Sequence, residues 1–115
     1  MKTRYEIRYY SHEVQQDIRG FPKTLKARYI RCTDQMAETG ANLGEPHTTA
    51  FGGGLFELRL KGQEGIARVF FCTQIGRKIV MLHSFMKKTQ KTPIREKEIA
   101  MRRLQEVKNG KATVA

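Results

Sequence analysis

The hydrophobic patterning predicts an α+β fold: a small antiparallel sheet with an N-terminal helical hairpin and a C-terminal helix. Three observations lead there. One stretch near the N-terminus and three in the second half alternate apolar and polar residues with period two. Between them, and again near the C-terminus, apolar residues recur every three or four positions. No internal repeat, low-complexity tract or Pro/Ser-rich linker interrupts the 115 residues, so a single domain is expected over residues 1–110, with 111–115 as a frayed tail.

Arg4 to Tyr10 alternates and is rich in aromatics, which reads as a first strand. Ser11 then caps a helix carrying Val14, Ile18 and Phe21 on one side. Gly20 to Pro22 breaks the chain, and Pro22 suits the first turn of a second helix, where its missing N–H costs nothing. Leu25, Tyr29, Cys32 and Met36 form that helix's apolar stripe. Gly40 to Gly44 closes the hairpin, and Gly52 to Gly54 marks a flexible joint. The triple glycine lacks the Lys-Ser/Thr of a phosphate loop and leads into a strand, not a helix. Three strands follow, Leu55–Leu60, Ile66–Thr73 and Lys78–Phe85, whose short links favour antiparallel pairing. Thr92-Pro93 reads as a cap and first helical position. Ile99, Ala100, Arg103, Leu104 and Val107 share one side of the last helix, which Gly110 ends.

Lys and Arg total 22 against 11 Asp and Glu, a net charge of +11 that favours a polyanionic partner. Nucleic acid, an anionic membrane and an acidic protein all satisfy charge alone. Cys32 and Cys72 match neither a metal-ligand spacing nor a disulfide framework, so both are expected as free thiols of a reducing cytoplasm. The N-terminus has no signal-peptide pattern, and no apolar run approaches the ~20 residues of a membrane span. A cytoplasmic protein with no membrane partner and no cofactor is the expectation.

Strand alternation divides the residues between two faces. Phe56, Leu58, Leu60, Val69, Phe71, Val80 and Leu82 are assigned to the face beneath the helical hairpin. Glu57, Arg59, Arg68 and His83 remain on an open face, with Phe70 and Phe85 between them and Lys87 and Lys88 at the strand's end. Arginines hold phosphate oxygens through two parallel hydrogen bonds, and aromatic rings beside cations are platforms for unstacked bases. His83 and Glu57 are the groups able to move a proton. Structural alternatives stay open for each. Glu57 and Arg59 suit a plain ion pair, His83 a satisfied structural histidine, Phe70 and Phe85 a secondary core under the last helix, and Met86 to Thr92 a solvated basic connector.

Leu55-Phe56-Glu57-Leu58-Arg59, Arg68-Val69-Phe70-Phe71, the run Met81 to Pro93 and the segment Glu98 to Arg102 together resemble the phage-derived HigB-like branch of the RelE/ParE toxin superfamily. Leu82-His83-Ser84-Phe85-Met86-Lys87-Lys88-Thr89-Gln90-Lys91-Thr92-Pro93 is the most specific part, with Ser84 where many members carry Gly. The resemblance implies a RelE-like fold and a toxin of a type II toxin–antitoxin module. It also implies a cognate antitoxin, often a helix-turn-helix protein through which alone operator DNA is contacted. The activity implied is metal-independent cleavage of mRNA on the ribosome by attack of the 2′-hydroxyl on phosphorus. Arg59, Arg68, His83 and Lys87 are then the catalytic candidates, with Glu57 in reserve, and Lys88, Phe70, Phe85 and Lys91 the RNA-binding ones. A ParE-like inhibitor of DNA gyrase and a non-catalytic RNA-binding module are the alternatives.

Overall fold

A computed structural model describes residues 4–40, 44, 47–74, 77–87 and 93–110. The chain runs β1 (Glu6–Tyr9), α1 (His12–Arg19), α2 (Lys23–Thr39), β2 (Thr48–Gly52), β3 (Leu55–Gly62), β4 (Gly65–Gln74), β5 (Lys78–Lys87) and α3 (Ile94–Lys108). One five-stranded sheet in the order β1-β5-β4-β3-β2 divides two helical layers. The expected tail lies outside the described residues. Among those described, no helix is long and apolar enough to cross a membrane.

The helical hairpin forms as the patterning requires. The Ser11 hydroxyl accepts from the N–H of Val14, and Val14 and Ile18 are buried. Pro22 begins α2 without a side-chain cap. A distant residue fills that role: the Glu64 carboxylate, in the β3–β4 turn, accepts from the N–H and the hydroxyl of Thr24. These bonds to Thr24 hold the Glu64 carboxyl below its ordinary pKa. Leu25 and Met36 have no exposed surface, and each such burial contributes about 1.5–3 kcal/mol. Tyr29 meets Tyr9 hydroxyl to hydroxyl at 2.8 Å; burial raises the Tyr29 phenol far above its usual range, so it stays neutral.

Three expectations about the sheet need correction. It is mixed, because β1 runs parallel to β5 from the pairing of Glu6 with Lys78 to that of Tyr9 with Met81; the remaining pairs are antiparallel. A strand also stands where a loop was expected: β2 pairs with β3, and the triple glycine is the tight turn between them. Gly52, Gly53 and Gly54 have φ of 85°, 65° and 91°, a left-handed run that residues with a Cβ rarely adopt.

The third correction concerns β5. Opposite Phe71 stands Met81, but opposite Phe70 stands His83, so Leu82 is an extra residue, a β-bulge. Ile79 and Met81 therefore belong to the core beneath the hairpin, while Val80 and Leu82 lie in the core beneath α3, the reverse of the expected assignment. The bulge resets the alternation, so that His83 and Phe85 share a face with Phe70 and Arg68, where they were expected.

Candidate active site

The register of β3, β4 and β5 sets the functional candidates in two adjacent cross-strand rows. Glu57, Phe70 and His83 form one; Arg59, Arg68 and Phe85 form the next. Lys87 closes β5 opposite Ile66, one row further on. Lys88 and Lys91 lie outside the described residues.

The face is not open. α3 packs on it through Ala100, Leu104 and Val107, against Leu55, Phe70, Cys72, Val80 and Leu82. Phe70 has no exposed surface, so no base stacks on it in this arrangement. Its ring is the middle of a packed row, 5.9 Å from Phe51 and 5.8 Å from Phe85. Phe85 is only half-buried and keeps surface at the rim of this core.

Glu57 pairs with Arg68 and not with Arg59. Its side chain is 1% exposed and that of Arg68 10%, which makes the pair a buried one. Burying two charges carries a desolvation cost of several kcal/mol per ion, which such a contact has to offset. Glu57 is thereby held as the partner of a cation. No ion pair of Arg59 is found among the described residues, and its Nε is buried without a hydrogen-bond partner there. Its backbone N–H bonds to the carbonyl of His47 at 2.8 Å, fixing β3 against the start of β2.

His83 bridges the sheet to the first turn of α3. Its Nε2 lies 3.0 Å from Glu96 Oε1, and its Nδ1 lies 3.5 Å from Arg103 Nη1. A carboxylate only accepts and a guanidinium only donates, so the neutral ring carries its proton on Nε2 and its lone pair on Nδ1. Arg103 also donates to the carbonyl of Leu82 at 2.8 Å, satisfying the bulge residue, and its guanidinium lies 4.8 Å from the centre of the Tyr10 ring. The Tyr10 hydroxyl donates to Glu106, and that bond raises the phenol's pKa.

The strand residues were legible from alternation; Arg103 was placed on the apolar side of α3 without a role, and Glu96 and Phe51 were not singled out. Glu96 carried a weak signal as an acid in the first turn of a helix. Among the described residues no group of three or more His, Cys, Asp or Glu side chains is placed to hold a metal ion. Chemically, the site combines a guanidinium whose Nε has no partner among the described residues, a second one paired with a carboxylate, and an imidazole whose neutral form has a defined tautomer. That set can bind a phosphodiester and accept a proton.

Comparison with known proteins identifies the family and the fold. The model of the family described as phage-derived protein Gp49-like (DUF891) matches residues 16–105. No curated protein sequence matches the chain. Among solved structures, a double arginine-to-alanine mutant of the E. coli toxin RelE in the free state superposes with a TM-score of 0.64 at 9% identity, covering 88% of this chain and 98% of that one. At that identity the likeness is one of fold, and the fold is RelE-like.

Proposed function

The chain belongs to the phage-derived Gp49-like family, a RelE/HigB-type toxin family, and from this premise we propose that it is a ribosome-dependent mRNA endonuclease inhibiting translation. The observation that carries the reading is Arg59, a half-buried residue whose Nε has no hydrogen-bond partner among the described residues, one cross-strand row from His83. Arg59 holds the scissile phosphate, with Arg68 beside it on β4. The 2′-oxygen bonds to phosphorus and the bond to the 5′-oxygen breaks, leaving a cyclic phosphate. His83 takes the 2′-proton at Nδ1, and Lys87 supplies the proton for the leaving oxygen. A cognate antitoxin, a helix-turn-helix repressor, masks the site in the resting module.

Two observations favour a second reading, RNA binding without cleavage: Arg68 is committed to Glu57, and His83 is tied to α3. Mapping 5′ ends of transcripts after induction separates the two. Cuts confined to translated frames, reduced about 10²- to 10³-fold by Arg59→Ala at equal protein level, are the expected result. Intact transcripts in growth-arrested cells would discard the nuclease; inhibited supercoiling beside them would favour the gyrase target.

A further inference from the structure

A second basic site lies on the far side of Arg59. β2 begins only at Thr48, so the last residues of β3 run on past it as a strand edge. Above this edge sits α2. Between them is a cavity of about 210 Å³ lined by Arg28, Cys32, His47, Arg59, Leu60 and Lys61. Arg28 and Lys61 also line an adjoining cleft of about 590 Å³, which continues past Thr24 and Gln63 to Ile66. The two together form one groove from Arg59 to the β3–β4 turn.

The chemistry of the lining is one-sided. The smaller cavity has two arginines, a lysine and a histidine, and among the described residues no carboxylate lines either part. Glu64, in the adjoining turn, is held by Thr24. Arg28 and Lys61 are both exposed, so their charges are available to a ligand from solvent. Arg59 directs its N–H outward, to His47; strand alternation aims the N–H of Lys61 at the same edge. Arg59 and Lys61, two residues apart on one face, are separated by roughly 6.6 Å, comparable to the spacing of neighbouring phosphates in an extended strand. Leu60, Cys32 and Ile66 add apolar wall for a sugar or a base.

We propose that this groove is a second phosphate subsite, in which Arg28 and Lys61 hold the phosphodiester next to the one at Arg59 as single-stranded RNA wraps the edge of β3. The inference rests on reading the sheet face as an RNA site and adds the path the strand takes beyond it. A repeating anion fits better than an acidic peptide, because the cations follow the strand's own spacing and continue those of the sheet.

The test uses the full chain and a fluorescent single-stranded RNA decamer with 2′-O-methyl riboses, which has no nucleophile and so cannot be cut. Anisotropy is measured over a range of salt concentrations for the wild type, Arg28→Gln, Lys61→Gln and the double variant. The slope of log affinity against log salt is expected to fall by about 0.7 for each cation removed, with the melting temperature unchanged. An unchanged slope in the double variant overturns the subsite, as does a groove that binds an acidic or phosphorylated peptide while RNA binding ignores both substitutions. Cleavage plays no part in this readout. A wild type that binds the decamer in this way but cuts no mRNA keeps the subsite and loses the nuclease.

Discussion

Beneath the helical hairpin the sheet presents Leu58, Leu60, Val69, Phe71, Ile79 and Met81, all buried and none able to ionise. Beneath and beside α3 the same strands set Glu57 and Arg68 next to Phe70, and tie His83 to Glu96. Both faces come from one set of alternating strands, yet they use burial differently. The first gains stability from apolar area alone. The second buries charge, which contributes little to net stability and fixes where polar atoms stand. An apolar α3 face would fold at least as well, so the polar residues there are explained by the chemistry they position.

The largest effect expected follows from the first face. Phe71→Ala removes a fully buried ring that stacks on Phe56 at 5.4 Å and leaves a cavity in the hairpin core. It should lower unfolding free energy in urea by about 4 kcal/mol. A loss below about 1 kcal/mol would mean that this core is loosely packed and that the contrast between faces is overstated.

On the second face, Arg68→Met removes the cation paired with the buried Glu57 carboxylate and should cost about 3 kcal/mol. The double variant Glu57→Leu with Arg68→Met should recover to within about 1 kcal/mol of wild type, since it removes the desolvated charges together. It should nevertheless lose toxicity. Recovered stability with retained killing would make the pair a mere packing element; no recovery would mean that it supports the fold as the apolar face does.

The same contrast explains what the sequence made legible. Period two in Leu55–Gly62 and Gly65–Gln74 and the stripe Leu25, Tyr29, Cys32 and Met36 are local signals, and the elements they mark are present. β2 was hidden because five residues, Thr48 to Gly52, lie among glycines and a proline and are too short for a pattern to emerge. The parallel β1–β5 pairing joins Glu6–Tyr9 to a strand that begins only at Lys78, which no local signal reports. The bulge at Leu82 carries no Gly or Pro to mark it, so strict alternation through β5 put Val80 and Leu82 under the wrong helices. Of the site, Glu57, Arg59, Arg68 and His83 follow from strand parity. Glu96 and Arg103 come from how α3 docks, and only the folded chain sets that.

The two free cysteines offer a measurement on each side of the sheet. Cys32 lies on α2 at the margin of the hairpin core, while Cys72 is buried beneath α3. Burial raises the Cys72 thiol from 9.0 to about 11, so in the closed protein it is protonated and unreactive at neutral pH. Its labelling by a disulfide reagent therefore requires α3 to lift. Because the thiol's pKa is higher folded than unfolded, its contribution to docking is complete below about pH 9 and is lost as pH rises through about 11. Glu96→Gln removes the carboxylate that holds His83 to the first turn of α3, a charge-assisted bond of about 1.5 kcal/mol. Cys72 labelling should then accelerate about tenfold while that of Cys32 stays unchanged. Equal acceleration of both thiols would mean that the molecule loosens as a whole and that the faces are not separable. No acceleration at Cys72 would mean that the other contacts of α3, its apolar residues and the bond from Arg103 to the Leu82 carbonyl, suffice to hold it, and that the contact between Glu96 and His83 adds little to docking.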